Sequence, residues 1–378
     1  MKITRDQTDH ERKNWTKEEI LAIYNTPFLE LVYEAARVHR HHHDPNKVQI
    51  SSLISIKTGG CPEDCGYCPQ AARYHTEVKM HELLPVHQVK AQALRAKQHG
   101  ISRVCLGAAW RNVKDGDEFD QVLDMVRTVT KLDMEVCCTL GMLTENQARR
   151  LEEAGLYAYN HNIDSSEDYY KEVISTRGFE DRLQTIGNVR KTSITVCSGG
   201  IIGMGETVAD RCDMLRILAN MYPQPESVPI NALVAVEGTP MEDQQPVSIF
   251  EMVRMVATAR IVIPGTQVRL SAGRTSMSQE GQALCFMAGA NSIFAGDKLL
   301  TTPNPDIGED KKLFDELGIK AQAPFEKHPK RDVVEAGDAR VQALGENPRW
   351  SRPGHTIGRN EAARHKGGVT NTEEKGSQ

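Results

Sequence analysis

A chain of 378 residues with 39% hydrophobic content can bury one sizeable core, and α/β barrels of this length fold as one domain. Its formal net charge of −5 speaks against a nucleic-acid partner, and no apolar run approaches the length needed to span a membrane. The polar start, Met1 to Asp6, lacks the apolar stretch of a secretory signal. Nine cysteines, an odd number with several clustered, fit metal binding in a reducing, cytoplasmic setting better than a disulfide framework.

Thr16 and Glu19 form a capping-box pattern that opens a short helix through Leu21 and Ile23. A second helix is predicted over 27–42, with Leu29, Leu31, Val32, Ala35 and Val38 on one side. The two helices should lid one end of the following domain or extend it. From 48 a unit repeats: a β-rich run, a loop, then an amphipathic helix. Strands are predicted over 48–57, 103–107, 135–140, 157–162, 193–197, 227–234, 267–271 and 291–295. Helices are predicted over 86–98, 118–131, from the Thr144–Gln147 capping box to Gly155, and over 166–174, 179–190, 207–221, 248–261 and 278–287. Eight such units predict an α/β fold, a closed (β/α)8 TIM-type barrel whose active site lies where the strands end. Beyond 300 the pattern decays to a last helix over 311–318. From 326 the chain is charged and poor in large apolar residues. The expected organisation is an N-terminal helical extension over 1–47, a barrel over 48–300, a capping segment over 301–325 and a disordered tail over 326–378.

After the first barrel strand comes Cys61-Pro62-Glu63-Asp64-Cys65-Gly66-Tyr67-Cys68, three cysteines spaced C-x3-C-x2-C. Thiolates are soft ligands for iron–sulfur clusters and zinc. A closed structural zinc site takes four ligands, so zinc would need His75 or Asp64 as the fourth. Three ligands on one tight loop suit a four-iron cluster with one iron left open. The spacing resembles that of the radical S-adenosylmethionine (SAM) enzymes, and Tyr67 resembles the aromatic that packs on adenine there. Further along, Cys105, the pair Cys137 and Cys138, and Cys197 fall on predicted strands two, three and five, with Arg269 on strand seven. A lone strand cysteine is ordinarily a small buried hydrophobe. Cysteines on three strands facing one lumen beside an arginine point to a second metal site. Only one of Cys137 and Cys138 can face inward, and position alone leaves open which. Arg103, two residues before Cys105, should share its face and balance cluster charge.

The chain resembles the biotin synthase family over roughly residues 15 to 320. The resemblance is carried by residues 55–70, which end in the cysteine loop, and by Gly107-Ala108-Ala109-Trp110, Tyr159-Asn160-His161-Asn162-Ile163-Asp164, Val196-Cys197-Ser198-Gly199-Gly200 and Val268-Arg269-Leu270-Ser271-Ala272-Gly273-Arg274. It implies a 4Fe-4S cluster on Cys61, Cys65 and Cys68, and a 2Fe-2S cluster on Cys105, Cys137, Cys197 and Arg269, choosing Cys137 over Cys138. It also implies SAM contacts at Tyr67, Asn162, Asp164, Arg182, Gly199 and Gly200, and substrate contacts at Asn162 and Asn231. From sequence alone Asp164 reads equally as a helix N-cap, Arg182 as a solvated helix position and Asn231 as a strand-end turn residue. The implied enzyme is a sulfurtransferase that turns dethiobiotin into biotin by a SAM-derived radical. It would work as a homodimer with a flavodoxin-type electron donor.

Overall fold

The computed structural model describes residues 12–327 and 330. The expected tail, apart from Glu326, Lys327 and Lys330, lies outside the described residues. The chain opens with α1 (Lys17–Tyr24) and α2 (Phe28–His42), followed by β1 (Lys47–Lys57), α3 (Val86–Gln98), β2 (Arg103–Ala108), α4 (Asp117–Thr130), β3 (Glu135–Thr139) and α5 (Glu145–Glu153). Next come β4 (Ala158–Asn160), α6 (Glu167–Val173), α7 (Phe179–Val189), β5 (Thr195–Cys197), β6 (Gly200–Ile202), α8 (Val208–Ala219) and β7 (Ser227–Ala232). The last part holds α9 (Ile249–Val262), β8 (Gln267–Leu270), α10 (Gln279–Met287), β9 (Ser292–Phe294), the small hairpin β10 (Lys298–Leu299) and β11 (Thr302–Pro303), α11 (Ile307–Leu317) and β12 (Lys320–Ala321).

Strands β1, β2, β3, β4, β5, β7, β8 and β9 pair in parallel in that order, and β9 returns to pair with β1. The sheet is therefore a closed eight-stranded barrel with its helices outside. Local chemistry sets several boundaries. Thr16 Oγ1 accepts the Glu19 N–H at 3.2 Å while Glu19 takes the Thr16 N–H at 2.9 Å, the reciprocal box expected for α1. Thr144 and Gln147 do the same for α5, at 3.2 and 3.0 Å. The first two helices do not lid the barrel; α1 packs on α8 and α9, and α2 on α9, so they extend the outer helical layer. Leu29, expected on the packed side of α2, is exposed instead, because it falls in the first turn away from the α9 contact made by Leu31, Val32, Ala35 and Val38.

Two features depart from the expected pattern. The fifth strand breaks after Cys197 and resumes as β6, both halves pairing with β7 in one register, Cys197 with Ser227 and Gly200 with Ile230. The break falls opposite Pro229, which has no N–H to give the ladder. The last helix starts at Ile307, four residues before its expected start, because Asp306 and Glu309 form a capping box. After it, β12 pairs in parallel with the first residues of β1, Lys47 with Lys320 and Val48 with Ala321. The capping segment thus joins the sheet at the N-terminal end of the barrel.

His39 on α2 is buried, and among the described residues neither of its ring nitrogens has a hydrogen-bond partner. Burial lowers its pKa from 6.5 to about 3, helped by the nearby Arg260 and Arg40 cations. An unfolded chain takes up this proton first, so the stability His39 contributes is complete above pH 6.5 and is lost as pH falls toward 3. The loss amounts to at most about 1.4 kcal/mol per pH unit. His39→Leu should therefore show a smaller drop in melting temperature between neutral pH and pH 4.5. Parallel curves for the two proteins would show that His39 is not a source of acid lability.

Candidate active site

A cavity of about 320 Å³ opens at the C-terminal ends of the barrel strands. Its walls include all three cysteines of the 61–68 loop, together with Cys105 and Arg269 from the strands. The loop is pinned by its own backbone. Cys61 N–H donates to Gln70 O at 3.0 Å, Ala72 N–H to Cys61 O at 2.8 Å and Cys68 N–H to Cys65 O at 2.9 Å. Asp64 ties it to the α6–α7 connection, accepting the N–H groups of Ser175 and Thr176 at 3.0 and 3.1 Å and both their hydroxyls. Arg73 completes the clamp at 3.1 Å. Burial opposes the Asp64 charge, but the hydrogen bonds from Ser175 and Thr176 outweigh it and hold the carboxyl down at about 2. The same connection brings Arg177 to within 4.0 Å of Cys65 Sγ. No motif in the sequence marks Ser175-Thr176-Arg177; their placement comes from the fold alone. Burial pushes the thiols up, to about 11 for Cys65, where Arg177 opposes it, and to about 12 for Cys68. A coordinated metal ion reverses that preference by binding the thiolate.

Asp164 lies on the cavity wall with φ of 68°, a left-handed conformation that is uncommon for a non-glycine residue. It is not the N-cap of the next helix, since Ser166 fills that position. Its carboxylate instead accepts Tyr67 OH at 3.1 Å and pairs with Arg182. Arg182 is buried rather than solvated, and its Nε donates to Tyr170 OH at 3.0 Å. Burial and the Asp164 charge raise the Tyr67 pKa, keeping it a neutral donor. Asn162 faces the same cavity; its Oδ1 accepts Asn160 Nδ2 at 3.1 Å and Gly199 N–H at 3.2 Å. Asn231, inside β7, donates to Gly200 O at 2.9 Å and accepts from Ala272 N–H at 3.1 Å. Gly199 and Gly200 have another reason to be glycine. A Cβ at Gly199 would sit 2.0 Å from Pro229 O, and one at Gly200 2.5 Å from Asp164 O. Close strand packing demands both; Ile201 is the residue of that segment on the cavity wall.

Deeper in the lumen, strand register places Cys105 beside Cys137, and Cys197 beside both Asn160 and Ser227. Cys137 packs inward with Cys105, while Cys138 joins the outer apolar layer against the helices. A hydrogen bond from Cys137 lowers the Cys105 pKa against the effect of burial, and Arg269 and Arg103 add to it. Arg269 donates from Nε to Ser292 Oγ at 2.8 Å and from Nη2 to Gln49 Oε1 at 2.9 Å, which leaves Nη1 facing Cys197 Sγ at 3.7 Å. Asn160 Nδ2, to which sequence reasoning gave no role, lies 3.2 Å from the same sulfur. Arg103 sits one layer below Cys105, held by Glu135 at 2.7 Å and Glu226 at 3.0 Å.

Residues 55–218 match the Radical SAM superfamily, and residues 229–320 match the Biotin and Thiamin Synthesis associated domain. The chain is 72% identical to a biotin synthase of Flavobacterium psychrophilum and 74% identical to one of Flavobacterium johnsoniae. Each match spans 349 residues, 92% of this chain and 96% of the relative. The chain belongs to the biotin synthase family. The biotin synthase of Nostoc punctiforme, at 59% identity over 84% of this chain and 96% of its own, lies further off. Among solved structures, methylornithine synthase (PylB) superposes with a TM-score of 0.69 at 18% identity, covering 84% of this chain and 97% of its own. HydG, a maturase of the FeFe-hydrogenase, gives 0.70 at 16% identity, covering 84% and 74%. At these identities the two likenesses show the fold alone. Matched over 349 of 378 residues, the Flavobacterium relatives leave at most 29 residues of this chain unpaired. The segment 326–378 is longer than that, so the family resemblance does not end near 320 but takes in part of that segment.

The cofactors of the biotin synthase family are SAM, a 4Fe-4S cluster and a 2Fe-2S cluster, and the residues of this chain fit them. All nine cysteines are free thiols. Among the described residues no three Cys, His, Asp or Glu side chains converge as they would on one metal ion. A cluster takes its thiolates on different irons, so such convergence is not required. A zinc ion would require it, and its proposed fourth ligands fail: Asp64 is taken up by Ser175, Thr176 and Arg73, and His75 is exposed. In the lumen the hydroxyls of Ser51 and Ser227 are buried and, among the described residues, have no hydrogen-bond partner, as befits groups that would face a bound sulfur-rich centre. Two guanidinium groups beside three thiols suit a centre of net negative charge.

Because Asp64 holds the cysteine loop against Ser175 and Thr176, Asp64→Asn should cost about 2 kcal/mol of stability. It should also speed amide exchange at Ser175 and Thr176, both of whose N–H groups point at the carboxylate. Unchanged exchange at those two amides would show that the clamp does not hold the loop.

Proposed function

We propose that this chain inserts sulfur into dethiobiotin to give biotin, with Cys61, Cys65 and Cys68 holding the 4Fe-4S cluster and Cys105, Cys137, Cys197 and Arg269 holding the 2Fe-2S cluster. The observation that carries this reading is the meeting of both cysteine sets with Arg269 around one cavity and the lumen beneath it. When bound, the 4Fe-4S cluster supplies the electron that cleaves SAM to a radical, and the 2Fe-2S cluster supplies the sulfur.

The protein's part is binding, orientation and exclusion of water. Asp164 offers a carboxylate for the paired hydroxyls of a ribose, fixed by Tyr67 and Arg182. Arg182 keeps a charged donor for the carboxylate of SAM. Tyr67 presents its ring beside the loop for the adenine. Asn162 has its carbonyl oxygen occupied by Asn160 and Gly199, which turns its amide donors toward the cavity. Asn231 has one donor and one acceptor position spent on Gly200 and Ala272. That leaves one N–H and one lone pair, the complement of a ureido group such as dethiobiotin carries. Leu53, Phe294 and Leu299 make the inner wall apolar, which shields a carbon radical from solvent protons and donors. Arg269 binds through a guanidinium that rarely gives up its proton, a weak hold suited to a cluster that loses sulfur. The chain further fits a homodimer served by a flavodoxin-type donor in the cytoplasm, a reading supported by the family resemblance. Among the described residues no helix is long and apolar enough to cross a membrane.

Anaerobic incubation with dethiobiotin, SAM and reduced donor should yield biotin. Asn231→Ala should raise the KM for dethiobiotin roughly tenfold or more, the worth of one lost hydrogen bond at about 1.4 kcal/mol, while SAM cleavage without substrate continues at the wild-type rate. SAM cleavage by the wild-type protein that leaves dethiobiotin unchanged would contradict the assigned reaction.

A further inference from the structure

The lumen has a second end. Below Cys105 and Cys137 lies a layer made of Arg103, Glu135, Glu226 and Tyr157, in which Arg103 binds Glu226 through two nitrogens at 3.0 and 3.2 Å and stands 5.0 Å from the Tyr157 ring. The C-terminal segment closes this layer from beneath. Phe325 packs against the apolar cluster that contains Cys105, Cys137 and Tyr157, with its ring 5.8 Å from that of Tyr157. Its N–H donates to Glu135 Oε1 at 2.8 Å, so one carboxylate joins the plug to the arginine under the two-iron ligands. Beside the plug a cavity of about 500 Å³ reaches Glu226 from the barrel floor, with Thr195, Thr266 and Lys327 on its walls.

This segment is held by a few hydrogen bonds, among them Gln322 N–H to Val48 O at 2.9 Å and Lys327 Nζ to Gly265 O at 3.1 Å, rather than by buried apolar area. The pairing of β12 with β1 is two residues long. Of residues 320–327 only Gln322 is buried, its amide bonded to Gln267 at 2.9 Å, and Phe325 is half-buried. The Lys47–Glu326 ion pair is exposed and contributes little. Phe325 also sits at φ of 59°, a backbone conformation a phenylalanine resists. Segments with few buried contacts open locally at low free energy. Meanwhile the other end of the lumen is the cavity that SAM and substrate occupy, and a centre that gives up sulfur at each turnover must be resupplied with it.

We propose that residues 320–327 are a removable stopper in the N-terminal end of the barrel, and that iron and sulfide pass to and from Cys105, Cys137 and Cys197 through this end. The proposal rests on the two-iron assignment made above. Glycine adopts the Phe325 backbone conformation at no cost, so Phe325→Gly removes the ring and leaves the segment its shape. The test uses holoenzyme carrying both clusters, held without reductant, with SAM and dethiobiotin saturating the mouth, and challenged with EDTA. Loss of the two-iron chromophore is followed by visible absorption and Mössbauer spectroscopy. Phe325→Gly should lose that cluster at least about fivefold faster than wild type, Phe325→Trp more slowly, and four-iron content should stay the same. Filling the mouth should leave the wild-type rate unchanged. Equal rates in all three proteins, or a rate that collapses when the mouth is filled, overturns the stopper. A wild-type protein that holds only four irons per chain overturns the two-iron assignment, and the stopper falls with it.

Discussion

Closure of the barrel through the pairing of β9 with β1 is the constraint on which the site depends. Gln49 pairs with Ser292 and Ser51 with Phe294, and this fixes the inward parity of both strands. Each further pairing transmits it: Ser51 to Arg103, Leu53 to Cys105, Cys105 to Cys137, Asn160 to Cys197 and Pro229 to Arg269. A slip of one residue in any strand would turn its inward-facing cysteine or arginine out to the helices. Cys138, next to Cys137 and packed in the outer layer, shows where that leads.

The second organising feature is buried positive charge. Arg103, Arg177, Arg182 and Arg269 are all buried around the cavity and lumen. Unpaired, any of them would be costly. Arg103 is neutralised by Glu135 and Glu226, and Arg182 by Asp164. Arg269 is hydrogen-bonded to the neutral partners Gln49 and Ser292, with a thiol facing its remaining nitrogen. Arg177 lies 4.0 Å from both Glu63 and Cys65 Sγ. The two arginines with the least carboxylate compensation are thus the two nearest cysteine sulfurs. An anionic iron–sulfur centre at each place, as proposed above, would supply the compensating charge and tie the electrostatics of these two arginines to the proposed chemistry.

Much of this was legible in the sequence because two periodicities carry it. Alternating strand and helix patterns predict the eight-fold repeat, and the C-x3-C-x2-C loop marks the strand end where a barrel keeps its active site. The pairing of Asp164 with Arg182 was hidden because each residue has an ordinary local reading, as a helix cap or a solvated helix position, and only the fold brings them together. The Asp64 clamp joins residues more than a hundred positions apart, beyond the reach of any local pattern. Pro229 was visible as a residue, yet its breaking of the neighbouring strand shows only once β5, β6 and β7 lie side by side. The stopper escaped notice because a two-residue strand leaves no periodicity to read.

Iron and acid-labile sulfide per chain, counted on anaerobically purified and reconstituted protein, test the central claim most directly. Two clusters predict six irons per chain. Cys197→Ala should remove two of them and the associated visible absorption, while the cluster on Cys61, Cys65 and Cys68 stays. Four irons in the wild-type protein, unchanged by Cys197→Ala, would contradict the account: the lumen cysteines would then be packing residues, and the sulfur would have to come from elsewhere.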